Sequence, residues 1–577
     1  MDEATVYQRR WLALGVLALS LVIIGMDNTI LNVALPHLSE DLNASNSQLQ
    51  WIVDGYVIVF AGLILTMGSL GDRFGRKGFL QLGLVVFVAG SIAAALAQTS
   101  AMLITFRMIM GVGGAMIMPA TLSLLTNIFH DPTERGRAIG VWAGVAASGI
   151  VFGPILGGVL LAHFWWGSVF LINIPVCVAA LVSGHYLLPR SKDPKSPRID
   201  PIGALLSIVA LVTVLWGLIE APSWGWTAPG ILGAFAVGLA LMGAFVAWEL
   251  HSDHPMLEMR FFKNRRFTAA NAGITMVFFA MFGSSFVITQ QLQFVMGYSP
   301  LKAGLAMTPI AVPLLILGPL SARIVERVGT KAVVGSGLVL AAVGLAWMSR
   351  LTLGSDYWDL VFPMLVLASG MGLTMAPATE SVMGAIPREK AGVGSAMNDT
   401  TRQVGGALGV AVIGSVLASV YRPNVLTNLH ATVLGTTAAG GGANAGQAQA
   451  AIDAIHQQLG AAFEVAKHLP GGADGALGRS VIRAAQSAFV DGFGGALLVG
   501  AAVALFGAAI VFAYLPAHGD DDAAAGIGEE HGEAGDLSNG EPTGLDLGDR
   551  GSDGDVVSSG EVDGDPRDPG LLKLEQP

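Results

Sequence analysis

The sequence predicts an all-α integral membrane protein with fourteen transmembrane helices, built as two six-helix bundles with two further helices inserted between them. Three observations predict this. Of 577 residues, 53% are hydrophobic and 13% charged, where soluble domains carry about 25% charged residues, and the mean hydropathy is +0.62. Fourteen apolar stretches reach or approach the roughly 20 residues needed to cross a hydrocarbon core of about 30 Å. Two separate motifs, one in a loop and one within a span, also recur later in the chain at nearly the same offset. The composition excludes a soluble globular enzyme.

The stretches run approximately over 11–35, 50–70, 79–97, 102–128, 138–161, 165–188, 202–219, 229–248, 267–294, 303–324, 332–349, 360–383, 393–420 and 489–515. The first is too long for the apolar part of a signal peptide and contains Asp27 and Asn28, so it reads as a membrane helix. The seventh and eleventh are the shortest. Residues 1–10 form a cytoplasmic N-terminus, 11–188 an N-terminal bundle, 189–266 the inserted pair with its loops, and 267–515 a C-terminal bundle interrupted by an outer loop at 421–488.

Lys and Arg set the orientation, because short basic loops stay inside. With the N-terminus inside, the inner loops hold 20 basic residues and the outer ones 6. Both termini are therefore expected in the cytoplasm, and the protein in the cell membrane. The net charge of −11 belongs to the end of the chain: from Ala517 to Pro577 there are 17 acidic and 3 basic residues. That Gly- and Asp-rich tail reads as disordered. The single cysteine, Cys177, allows no intramolecular disulfide and no thiolate metal site.

The duplication rests on two pairings. Glu326, Arg327, Gly329 and Lys331 fall over Asp72, Arg73, Gly75 and Lys77, while the stretch from Ala376 (APATESVM) falls over that from Met118 (MPATLSLL). Parallel repeats of six helices with spans seven and eight inserted produce this pattern.

The first loop motif is Gly68-Ser-Leu-Gly-Asp72-Arg73-Phe-Gly75-Arg76-Lys77. Its glycines allow a tight helix-loop-helix, and its Asp and basic residues can form switchable ion pairs at the cytoplasmic rim. The first span carries Met26-Asp27-Asn28-Thr29-Ile30-Leu31-Asn32 and the fourth carries Arg107 before Gly111-Val-Gly-Gly114. In the fifth, Gly149-Ile-Val-Phe-Gly153-Pro154-Ile-Leu-Gly157-Gly158 places small residues where helices can approach closely, with Pro154 distorting the backbone.

With these motifs the chain resembles the major facilitator superfamily and, within it, the fourteen-helix drug:proton antiporters of the EmrB/QacA type. The resemblance covers about residues 7–420 and the last span. It implies the major facilitator fold and export of amphiphilic small molecules, driven by proton entry through alternating access of two bundles. It also makes 149–158 similar to the family's antiporter motif.

Ionisable groups at membrane depth are costly and therefore functional candidates. Asp27 lies about 24 Å from the inner end of its span, and Arg107 and Asp54 lie roughly 6–9 Å from the outer ends of theirs. Asp27 is expected to handle the proton and Arg107 to modulate it, with a purely structural pair as the alternative. Asp54 either joins them or sits at the wet outer mouth. In the second half Glu380, Asp399 and Arg402 form a charge cluster. Glu380 or Asp399 paired to Arg402 makes a cytoplasmic gate, a second proton site or a rim salt bridge.

Met276, Phe279, Phe282, Gln290 and Gln291 of span nine are candidates for the substrate cavity, since Met and aromatic groups repack around varied apolar molecules. The long outer loop has an amphipathic stretch around 452–467 and is either partly disordered or a cover. No cofactor, metal or nucleotide motif appears, and neither catalysis nor nucleic acid is implied. The expected partners are an amphiphilic substrate, protons and the lipid bilayer, with the chain acting as a monomer. A dedicated exporter of a metabolite or self-made antibiotic is the alternative within transport. A membrane-embedded enzyme or receptor is the remaining and weakest rival.

Overall fold

Caps written into the sequence set where the helices begin. Ser45 and Gln48 form a capping box before α2, and the Asp356 side chain accepts from the backbone N–H groups of Trp358 and Asp359 before α12. Thr99, Asp131, Asp200, Asn264 and Ser299 accept from backbone N–H groups at five further starts. Each satisfies a donor that the first helical turn leaves free.

The computed structural model describes residues 7–129, 131–191, 200–252, 255, 259–386, 391–437, 445–469 and 471–516. Within these it describes only the backbone at 65, 69, 72, 132–133, 135–137, 139–140, 143–144, 146–148, 150–151, 391–396, 430–437 and 445–450. The Asp72 side chain and the acidic tail therefore lie outside the described parts.

The helices are α1 Arg10–Asp41, α2 Asn46–Phe74, α3 Arg76–Ala95, α4 Ser100–Ile128, α5 Pro132–His163 and α6 Ser168–Leu187. The inserted pair is α7 Pro201–Trp224 and α8 Pro229–His251. There follow α9 Arg265–Val295, α10 Pro300–Val328, α11 Thr330–Met348, α12 Tyr357–Gly384 and α13 Ala391–Thr437. Two short helices, α14 Ala445–Gln457 and α15 Leu459–Lys467, precede α16 Ala476–Tyr514. Among the described residues, thirteen helices are long and apolar enough to cross a membrane, and α5 adds the apolar stretch Phe152–His163.

Helix bounds differ from the sequence expectation chiefly at 421–488. Most of that loop is helical: α13 runs on to Thr437, α16 starts at Ala476, and α14 and α15 lie between them. Ala supplies the helix propensity that its Gly content hid. The seventh span is also longer than expected, at 24 residues.

The two halves repeat one another in detail. Gly75 joins α2 to α3 with φ +118°, and Gly329 joins α10 to α11 with φ +83°, a conformation that glycine alone adopts freely. A Cβ at Gly83 in α3 would lie 3.1 Å from the Gly113 carbonyl in α4, and one at Gly337 in α11 would lie 2.8 Å from the Gly370 carbonyl in α12. The glycines of α3 and α11 are separated by the offset of the loop motif. Pro119 and Pro377 interrupt α4 and α12 inside the second repeated stretch.

We call the end of the bundle bearing Arg9 and Arg73–Lys77 the basic face, and the opposite end the far face. Among the described residues, the hydrogen bonds between halves lie toward the far face. Asn32 donates to Ser285, Gln293 to the Val33 carbonyl, Asn46 to the Gly414 carbonyl, and Gln50 to the carbonyls of Val410 and Ala411, all at 2.9–3.3 Å. The inserted α7 lies along the α2–α13 seam. Ser47 of α2 donates to the Ile219 carbonyl, and Ser415 of α13 donates to the Leu218 carbonyl.

The far face is covered. Gln458, just before α15, exchanges two hydrogen bonds with Ser39 of α1, and Phe463 stacks on Phe294 of α9 with ring centroids 5.6 Å apart. Tyr421 of α13 donates to the Ile455 carbonyl in α14. The cover thus holds both halves.

Candidate functional site

Asp27 and Arg107 are joined in an ion pair between α1 and α4, with each side chain 1% exposed. Arg107 also donates through Nε to the Ile52 carbonyl at 3.1 Å and stacks over Tyr56 at 4.5 Å. The second Asp27 oxygen accepts from Asn173 at 3.3 Å, and Asn173 is held in turn by Ser91, itself anchored on the Phe170 carbonyl. A buried ion pair is tolerable only when its remaining valences are satisfied in this way. Tyr56, Asn173 and Ser91 were not singled out by the sequence, because neutral polar residues do not stand out in an apolar run.

Asp54 is brought neither to the pair nor to a wet mouth. It is fully buried in α2, and neither carboxyl oxygen has a hydrogen-bond partner. One turn before it, Gln50 reaches α13, so this face of α2 looks onto the other half.

The loop motif acts locally. Lys77 donates to the carbonyls of His185 and Leu188 at 2.6 and 2.8 Å, capping the end of α6, where a cation is favourable. Arg76 binds Ser191 through backbone and side chain, Gly68 packs against Pro119, and Arg73 is exposed. At the same face Arg10 makes a bidentate pair with Glu134, 2.9 Å on each arm.

The fifth-span motif lies between the halves. Gly149, Gly153 and Gly157 face Met26, Thr29 and Ile30 of α1, while a Cβ at Gly158 would come within 2.6 Å of the Leu301 Cα in α10. Gly304 of α10 in turn packs against the Pro154 carbonyl. The turn of α1 that carries Asp27 is therefore seated directly on the seam helix.

Beside Pro154 lies a cavity lined from α1, α5, α9, α10 and α12. Of the five residues expected there, Phe282 lines it. Met276 instead packs against Gly507 of α16, Phe279 against Gly409 of α13, and Gln290 faces a smaller pocket under the cover. Gln291 is buried with both amide atoms unpartnered. They turn away because successive residues of one helix face different neighbours. The sequence missed the contribution of α10 and α12, including Met307, Met364 and Met371.

In the second cluster Arg402 pairs with Asp399 at 3.7 Å, donates to Thr379 at 3.0 Å, and stacks over Phe278 at 5.4 Å. Glu380, one residue beyond Thr379, is not its partner.

A family model described as Major Facilitator Superfamily matches residues 17–410. The chain belongs to the major facilitator superfamily. Its members similar to this chain include the multidrug efflux pump LfrA of Mycolicibacterium smegmatis, 35% identical over 87% of this chain and 96% of that protein. The tetracenomycin C resistance and export protein of Streptomyces glaucescens is 32% identical over 89% of this chain and 93% of its own. Among solved structures, a bacterial homologue of the human lysosomal transporter Spinster superposes with a TM-score of 0.58 at 17% identity, covering 87% of this chain and 98% of that one. The superfamily fold, a multi-pass membrane protein built for small-molecule transport, is thereby established.

Proposed function

We propose that this chain is a proton-coupled efflux transporter that exports amphiphilic small molecules from the cytoplasm by alternating access. The observation that carries the reading is the Asp27–Arg107 pair, buried at membrane depth on the helix turn that packs against the seam. The names of LfrA and the tetracenomycin C exporter support the direction of transport. With the basic face in the cytoplasm, as the Lys and Arg bias supports, the far face opens outside.

The chemistry needs two protonation states of Asp27. Ionised, it holds Arg107 and draws α1 onto α4. Protonated, it has lost the charge–charge attraction, and Arg107 keeps the Ile52 carbonyl and the Tyr56 ring. Thr29 and Asn32, on the following turns of α1, line the cavity. Proton loading therefore acts on the cavity wall and on the α1–α5 packing together. Asp54 is a second coupling group: its buried carboxyl has no hydrogen-bond partner, and separation of α2 from α13 would open it to water. The Asp399–Arg402 pair, nearer the basic face, serves as a gate, and the chain acts as a monomer.

The test is efflux from reconstituted vesicles with an imposed pH gradient. Accumulation collapsed by a proton ionophore is expected; accumulation indifferent to it would reject proton coupling. A dedicated exporter would move one compound of a structurally varied panel, whereas a multidrug pump would move several.

A further inference from the structure

The efflux reading leaves the charge of the substrate open, and the cavity lining bears on it directly. Among the described residues, none that lines the cavity is ionisable. Four are methionines, Met281, Met307, Met364 and Met371, and one is aromatic, Phe282. The Asp27 carboxylate, the nearest acid on α1, is 1% exposed, committed to Arg107 and Asn173, and absent from the lining.

The polar groups that do line the cavity are Thr29, Asn32, Ser284, Ser285 and Thr308. Their protons are largely spent. Thr29 donates to helix carbonyls, Ser284 to the Met281 carbonyl, Thr308 to the Gly304 carbonyl, and the Asn32 amide to Ser285 Oγ. What remains for a ligand is a set of oxygen lone pairs, the Ser285 hydroxyl proton and the second Asn32 amide proton. Such a wall suits a ligand with its own hydroxyl or N–H donors.

The charges beyond the lining offer a cation no free partner. Phe282 stacks on Phe278 with centroids 6.1 Å apart, and the Arg402 guanidinium lies over the Phe278 ring. A permanent cation in the cavity would meet a single ring face and no carboxylate free to pair with it, since the Arg402 guanidinium beyond Phe278 is itself paired with Asp399. Desolvating an unpaired charge is the largest penalty such a site can impose.

Building on the efflux reading, we propose that the cavity selects amphiphiles with no net charge in the bound form, seating an apolar body on the methionines and Phe282 and a donor group on the Thr29, Asn32 and Ser285 oxygens.

The test uses the full chain and two probes of matched size: an uncharged aromatic amphiphile bearing a hydroxyl, and its permanently quaternised trimethylammonium analogue. Equilibrium binding to purified protein is measured alongside pH-driven efflux from proteoliposomes. The neutral probe is expected to bind at least tenfold tighter. Met281→Glu is expected to raise affinity for the cation at least tenfold, and Met281→Gln to leave it low; if these variants fail to fold, the wild-type comparison decides alone. Equal or tighter binding of the cation to wild type overturns the proposal, as does binding of neither probe. Preferential binding of the neutral probe without pH-driven movement would keep the charge selectivity and sink the efflux reading. Equal pH-driven export of both probes with equal affinity would do the reverse.

Discussion

Gly304 of α10 lies against the Pro154 carbonyl of α5 so closely that a side chain at 304 has no room. One turn along α5, Gly158 meets Leu301 in the same manner. This is where the two halves close the far face on the α5 side, while α7 overlies the opposite seam.

Gly304→Val is therefore expected to hold the far face apart. The only native cysteine, Cys177, is fully buried, so a cysteine introduced at Leu301 can be labelled by an impermeant reagent with little background. Labelling at least fivefold faster in Gly304→Val, with transport reduced at least tenfold, is the expected result. Unchanged labelling would show that this contact is not the far closure.

Removing one member of a buried ion pair costs about 3–5 kcal/mol. Arg107→Ala is accordingly expected to lower the thermal midpoint of the detergent-solubilised protein sharply, by stranding Asp27. Adding Asp27→Asn should recover much of that loss without restoring transport. Additive destabilisation in the double variant would mean that the two residues do not interact as the geometry shows.

The cover makes two hydrogen bonds between Gln458 and Ser39, each worth about 1 kcal/mol. Gln458→Ala should shift the docking of α15 toward the undocked form by roughly tenfold, taking both bonds together with partial compensation by water. Limited proteolysis at Lys467 in membranes measures this; an unaltered cleavage rate would assign the docking to the Phe294–Phe463 stack instead.

Burial, and then the Arg422 cation, push the His456 imidazole below its ordinary 6.5, while Asp453 pulls the other way. A depressed folded-state value means that the neutral form is the docked one. Stability of α14 is thus full above the ordinary value and is lost as pH falls through the depressed one. Proteolysis of the cover should rise as the medium is acidified below pH 6.5, and His456→Gln should flatten that rise. A variant with the wild-type pH profile would place the titration elsewhere.

The charges within the spans were legible in the sequence because a carboxylate or guanidinium in an apolar run has few reasons to be there. Asp27, Arg107, Asp399 and Arg402 were found in that way, and the structure brings them together as two pairs. The repeat was legible because Gly75 and Gly329 answer one steric demand twice. The cavity was not: Met276 and Met281 are chemically alike, and only the packing of α9 against α13 and α16 sends one to a helix contact and the other to the cavity. The cover was partly legible: the amphipathic stretch around 452–467 pointed to it, while the Gly content of the loop hid the onward run of α13 and the early start of α16.

The central claim is that proton entry drives transport through Asp27. The most direct measurement compares wild type and Asp27→Asn in the same proteoliposomes, recording accumulation under an imposed pH gradient and substrate exchange without one. Asp27→Asn is expected to retain exchange within a factor of about two and to lose gradient-driven accumulation. An Asp27→Asn protein that accumulates substrate as steeply as wild type would contradict it.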